Sequence, residues 1–99
     1  MLSGHLDGLL LTVLAAGPGH GYELSQRLTE QSGGDLAVPE GSLYPALHRL
    51  ERGGLVESRW DRGERRRRIY RITAAGRRAA DDSREEWRAF AAAVHGVMG

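Results

Sequence analysis

Cysteine is absent from the chain. That excludes disulfides, thiolate metal sites and thiol chemistry, and it is compatible with the reducing cytoplasm, which is the expected location. Lysine is absent too, so all 14 basic residues are arginine. Arginine suits phosphate and guanine recognition. The chain is also rich in alanine and glycine, however, so we attribute the choice to a GC-rich coding bias and give it no functional weight. Long apolar runs are missing: Leu9–Ala16 falls well short of the roughly 18 residues a membrane span needs. Asp7 precedes that run and no basic segment does, which argues against a secretory signal. Internal repeats and low-complexity linkers are also lacking.

Catalytic constellations are equally scarce. His5, His20, His48 and His95 lie on separate segments, and no pair has the i, i+4 spacing with a carboxylate that a zinc site on one helix requires. The glycine-rich GPGHG at 17–21 follows a helical pattern, whereas a phosphate loop follows a strand. Asp81-Asp82 and Glu85-Glu86 recur at i, i+4, but interleaved Arg84 and Arg88 make solvated ion pairs the simpler reading. We expect no enzyme, no metal and no cofactor.

The net charge of +1 is small and would by itself suggest no polyanionic partner. Its distribution says otherwise. Residues 59–71 hold seven arginines against Asp61 and Glu64, a local +5; residues 1–58 sum to −4, and residues 72–99 are balanced. Positive charge is thus concentrated in one short segment. A chain of 99 residues makes one small domain that is marginal alone and gains stability from dimerisation.

Leu2, Leu6, Leu9, Leu10, Val13 and Leu14 have helical spacing. They predict a first, mostly buried helix over about 4–16, with Ser3 as N-cap and Gly17-Pro18-Gly19 as the stop. His20 is expected to shape the turn into a second helix from Gly21 to Gln31, ended by Gly33-Gly34. Leu36-Ala37-Val38 reads as a short extended piece, because Pro39 biases Val38 away from helix.

The stretch from Pro39 to Leu55 predicts a third helix. Leu43, Ala46, Leu47 and Leu50 form one apolar stripe. Ser42, Tyr44, Pro45, His48, Arg49 and Arg52 fall on the other faces. Taken alone, this is either an ordinary surface helix or one built to enter a DNA major groove. The helix is expected to start between Pro39 and Ser42. A start near Ser42 makes the donor missing at Pro45 harmless, and an early start would bend the helix. Gly53-Gly54 should end it, one glycine taking the left-handed cap.

Leu55–Trp60 and Ile69–Thr73 are β-prone runs flanking Asp61–Arg65, with Gly63 as turn residue, and predict a hairpin. Its far arm is Arg65, Arg66, Arg67 and Arg68. A helix-turn-helix followed by a basic hairpin is a winged helix. Alternation along the strand sends successive arginines to opposite faces, so about half of them would meet phosphates or a minor groove. The last helix is placed at about 74–96 with Thr73 as N-cap. Ala80, Ser83, Trp87, Phe90, Val94 and Val97 repeat at 3.5 on average, a coiled-coil-like seam. It serves either a dimer partner, with Trp87 and Phe90 as anchors, or the first helix of the same chain. Both can hold, with Leu6 and Leu10 joining a shared core.

With these residues in view, the chain resembles the PadR-like transcriptional regulators in their short form. The matching stretches are LLLTVLAAGPGHGYEL at 9–24, LAVPEGSLYPALHRLERGGLV at 36–56 and RRRRIYRITAAGRRA at 65–79. The resemblance implies a mainly α fold with a small β-hairpin: a winged-helix DNA-binding domain over 1–73 and a C-terminal dimerisation helix over 74–99, in one structural unit. It implies a homodimer that represses from a palindromic operator, and, more loosely, relief by a small molecule. An aromatic effector would lie at the dimer interface near Trp87. The DNA-contacting set is expected to be Ser42, Tyr44, Pro45, His48, Arg49, Arg52 and Arg65–Arg68. The dimer set is expected to be Leu6, Leu10, Ser83, Trp87, Phe90, Val94 and Val97. The alternative, supported by the near-neutral overall charge, is a winged-helix protein-interaction or effector-binding module without tight DNA binding.

Overall fold

The computed structural model describes residues 2–63 and 67–99. The chain runs α1 (Leu2–Ala16), β1 (Gly19–His20), α2 (Gly21–Gln31), α3 (Glu40–Arg52), β2 (Val56–Trp60), β3 (Arg68–Ile72) and α4 (Ala74–Met98). The expected mainly α winged helix-turn-helix is therefore present, with its hairpin and its long last helix. The side chains of α1, α2 and α3 meet in a single core in which Leu10, Leu14, Leu24, Leu43 and Leu47 are all but inaccessible. Val56 and Tyr70 close it from the sheet and Ala80 from α4.

One helix start differs from the sequence expectation, and two expectations become specific. α1 begins at Leu2, so Ser3 lies in its first turn and does not cap it. α3 starts at Glu40, the early end of its range, with Pro39 as N-cap and Pro45 inside the helix. The carbonyl of Gly41 thereby loses its helical donor, a loss reduced because Gly41 is exposed to water. Residues 35–39 join no strand. Their carbonyls are held by side chains of α2: Thr29 Oγ1 donates to Leu36 O at 3.1 Å and Ser25 Oγ to Val38 O at 3.4 Å.

Both glycine pairs act as helix stops. After α2, Gly33 takes φ 69°, and the Gly34 N–H reaches the Thr29 carbonyl at 2.8 Å. After α3, Gly54 takes φ 74°, and the Leu55 N–H reaches the Leu50 carbonyl at 3.0 Å. These are Schellman closures, in which a left-handed residue lets the chain turn back on the last carbonyls.

The sheet is larger than the predicted hairpin. β2 and β3 pair antiparallel from Val56↔Ile72 to Trp60↔Arg68, and β1 adds to the other edge of β3 through Gly19↔Tyr70 and His20↔Ile69. The order is β1-β3-β2. Thr73 then ties sheet to helix: its Oγ1 accepts the Gly76 N–H at 3.0 Å and donates to Gly54 O at 2.7 Å.

α4 has two halves. Its first turns are buried at Gly76 and Ala80, and Ser83 lies against Gly8 of α1, where an added Cβ would approach Ser83 Oγ to 2.8 Å. Beyond Ser83 nearly every residue is exposed, and the molecule's long axis reaches 52 Å. Among the described residues, no helix is long and apolar enough to cross a membrane.

Gly76 is the tightest point. A Cβ there would run into the carbonyl oxygen of Leu55 and the side chain of Ile72. Gly76→Ala should cost about 1–3 kcal/mol, the usual range for forced overpacking, and lower the thermal midpoint followed by circular dichroism. Gly96→Ala, at an exposed position of α4 with open space around it, should leave the midpoint unchanged or raise it slightly. Equal effects of the two substitutions would contradict this packing.

Candidate nucleic-acid interface

Burial of Leu43, Ala46, Leu47 and Leu50 turns the rest of α3 outward. Ser42, Tyr44, Pro45, His48, Arg49 and Arg52 are all exposed. Tyr44, Pro45, His48, Arg49 and Arg52 line one open groove of about 520 Å³. The surface offers hydroxyl and imidazole groups, a flat apolar ring and two guanidinium groups, the chemistry used against base edges and phosphates.

Two of these residues are also held from below. Tyr44 is 44% exposed, and its ring lies over Gly21, where an added Cβ would come within 2.7 Å of Cε1. The glycine that opens α2 therefore makes room for the tyrosine of α3. Arg49 forms an ion pair with Asp7 of α1, Nη2 to Oδ1 at 2.9 Å. Arg52, by contrast, enters no ion pair among the described residues.

The hairpin arginines divide by face. Arg65 and Arg66 lie outside the described residues. Arg67 is half-buried at the strand entrance, where its carbonyl accepts the Asp61 N–H at 2.7 Å. Arg68 sits over the Trp60 ring at 4.7 Å and donates to Ser58 Oγ at 2.7 Å. Ser58 in turn donates to Glu51 Oε2 at 2.6 Å. This chain of charge-assisted bonds joins the wing to the last turn of α3. On the opposite face Arg71 binds Glu57 Oε2 through Nε and Nη2, at 3.0 and 2.7 Å. Arg59 is exposed and enters no ion pair among the described residues.

His20 sits at the base of the wing. Its N–H donates to Glu23 Oε1 at 2.9 Å, the carboxylate half of a capping box. Its ring reaches Asp61 Oδ2 at 3.5 Å and the Arg68 carbonyl at 3.4 Å. Asp7, Glu51, Ser58 and Gly21 are the supporting residues that sequence reasoning missed. Each meets its partner through the fold, so no local spacing announces it. The SLYP and HGY stretches were the available signal for Gly21 and Tyr44, but not for their contact.

The expected dimer set is split. Leu10 is enclosed in its own core, Leu6 packs against that core, and Ser83 faces Gly8 of the same chain. Trp87, Phe90 and Val97 are exposed, the first two at 55% and 57%, and Val94 is half-buried. Trp87 meets the His5 ring edge-on at 5.6 Å and Phe90 at 5.7 Å.

The family model described as the transcriptional regulator PadR-like family matches residues 10–82. The chain belongs to the PadR-like family. It is 43% identical over 79 residues to the transcriptional regulator Rv3488 of Mycobacterium tuberculosis, covering 78% of this chain and 70% of that protein. The structure of a transcriptional regulator from Clostridium thermocellum superposes with a TM-score of 0.88 at 30% identity, covering 96% of this chain and 91% of that one. The Bacillus subtilis PadR, solved in complex with operator DNA, shares the fold with a TM-score of 0.69 at 24% identity, over 78% of this chain and 45% of that one. This PadR-like chain is thus a transcriptional regulator by family, with the winged helix typical of its relatives.

Tyr70 reports on the link between α3 and the wing. Its phenol is raised above the usual 10.0, first by burial, then by the Glu51 carboxylate, against a smaller opposing effect of Arg68. A raised folded value means that the unfolded chain gives up this proton first. The contribution of Tyr70 is therefore intact below about pH 10 and is lost as pH rises through the folded value. Glu51→Gln should lower the Tyr70 titration, read as phenolate absorbance against a Tyr70→Phe baseline, without returning it to the ordinary value. An unchanged titration would place the Glu51 carboxylate away from the ring.

Proposed function

We propose that the protein is a DNA-binding transcriptional regulator that acts as a homodimer, represses from a palindromic operator and works in the cytoplasm. The observation that carries the reading is the exposed groove on α3, lined by Tyr44, Pro45, His48, Arg49 and Arg52 beside a wing dense in arginine. α3 enters the major groove with Ser42, Tyr44 and Pro45 leading. His48 and Arg49 follow at base edges and Arg52 meets phosphate. The arginines expected at the wing, Arg65–Arg68, serve the DNA backbone. The Bacillus subtilis PadR, solved with operator DNA in the same fold, supports DNA as the partner.

Dimerisation runs through the distal half of α4. Trp87, Phe90 and Val97, with half-buried Val94 between them, leave an apolar stripe largely uncovered on a helix that projects past the core, and a helix of this kind is stabilised by a second copy. Leu6, beside His5 on α1, extends the stripe; Leu10 and Ser83 support it from within the chain. A planar aromatic effector stacking near Trp87 is the form of small-molecule control this surface suits best.

The test uses DNA selected from a random pool by the wild-type protein. Binding should fall steeply with salt. Arg52→Ala should weaken it for all sequences and reduce the salt slope by about 1 per recognition helix. Sedimentation should find a dimer that Trp87→Ala shifts toward monomer. Failure to select any DNA, or a monomer that binds the selected DNA tightly, would overturn the reading and favour a protein-interaction module.

A further inference from the structure

Asp7 and Arg49 are 42 residues apart, yet they meet at 2.9 Å on the rim of the α3 groove. Neither is buried: their side chains are 42% exposed for Arg49 and 29% for Asp7. A surface ion pair of this kind contributes little to stability, so its placement calls for another account. Arg49 lines the groove with the residues that point away from the core, while Asp7 belongs to α1, whose Leu6, Leu10 and Leu11 serve the core.

A guanidinium carries five N–H donors in one plane, along edges of fixed geometry. One N–H bound by Asp7 leaves a second edge free for a pair of acceptors such as guanine O6 and N7. The carboxylate also removes most of the rotamer freedom that a long arginine would otherwise lose on binding. Its negative charge has the opposite effect on the backbone. It offsets the attraction of Arg49 for phosphate and repels any phosphate that approaches the same rim.

We propose that Asp7 is a positioning residue for base recognition: it orients Arg49 for a base edge and withholds it from the phosphate backbone, so that sequence preference is gained at the expense of non-specific affinity. The inference rests on the assignment of α3 as the recognition helix. It makes a residue of the first helix a determinant of specificity without itself reading a base.

The test compares wild type, Asp7→Asn, Arg49→Ala and the double variant on the selected DNA and on random DNA of equal length, across a salt series, and repeats the site selection with each. Asp7→Asn should tighten binding to random DNA and raise the salt slope by about one per recognition helix. It should also lower the ratio of selected to random affinity about tenfold and relax one symmetric pair of positions in the motif. In the Arg49→Ala background it should leave ratio and motif unchanged. Equal weakening on both DNAs would make the pair merely structural. Equal tightening with an unchanged motif would make Asp7 a simple charge brake. Either result overturns the inference while leaving α3 as the DNA-reading helix. A wild-type protein that selects no DNA overturns both.

Discussion

The burial of Leu43, Ala46, Leu47 and Leu50 against α1 and α2 is the constraint on which the rest of the molecule depends. α3 has little local reason to be a helix. It contains Gly41 and Pro45, both poor helix residues, and is short enough that isolated stability would be marginal. Tertiary packing of one face holds it. Once that face is fixed, helical geometry leaves Tyr44, Pro45, His48, Arg49 and Arg52 no direction but outward. The outward set is then trimmed by contacts from other elements: Gly21 yields space to Tyr44, Asp7 takes one edge of Arg49, and Glu51 reaches through Ser58 to Arg68. The core thus orients the surface, and the surface in turn is held to the wing.

Electrostatics follow the same division. The local excess of arginine in residues 59–71 suggests a uniformly basic wing, but its charges are not equally available. Arg71 is engaged by Glu57, and Arg68 is laid across Trp60 with its donor on Ser58. Such bonds hold the hairpin in register and stiffen its stem, as cross-strand pairs do. Of the arginines on α3 and the wing, Arg52, Arg59, Arg62, Arg67 and Arg68 enter no ion pair among the described residues. Association with a polyanion would therefore depend on where the arginines are placed as much as on how many there are, which is why the near-neutral total is uninformative.

Periodicity made the helices and the hairpin legible. The 3.6-residue stripes of α1 and α3, the two glycine stops and the β-prone runs around Gly63 each have a local physical cause. What escaped has none. β1 is only Gly19-His20, too short to alternate, and exists because the turn before α2 passes the open edge of β3. The start of α3 was bounded between Pro39 and Ser42, but its exact place was not, because the exposed Gly41 carbonyl can stand without its helical donor when the helix begins at Glu40. Asp7, Glu51 and Ser58 find their partners across distances that sequence spacing does not encode. The seam of α4 was visible as one continuous pattern, but the point where its own chain stops covering it was not. The close cover ends near Ser83, which faces Gly8, and beyond it α1 reaches the seam through the edge-on contact of His5 with Trp87.

The natural absence of cysteine allows the central claim, that the outer face of α3 lies in DNA, to be measured directly. A single cysteine introduced as Ser42→Cys and carrying an iron chelate should cut bound, selected DNA at two clusters about 34 Å apart, or a multiple of one helical turn. The same probe at Glu30→Cys, on the exposed far side of α2, should cut weakly and diffusely. Focused cleavage from position 30 with none from position 42 would contradict the account, because it would place a different face of the molecule against the duplex.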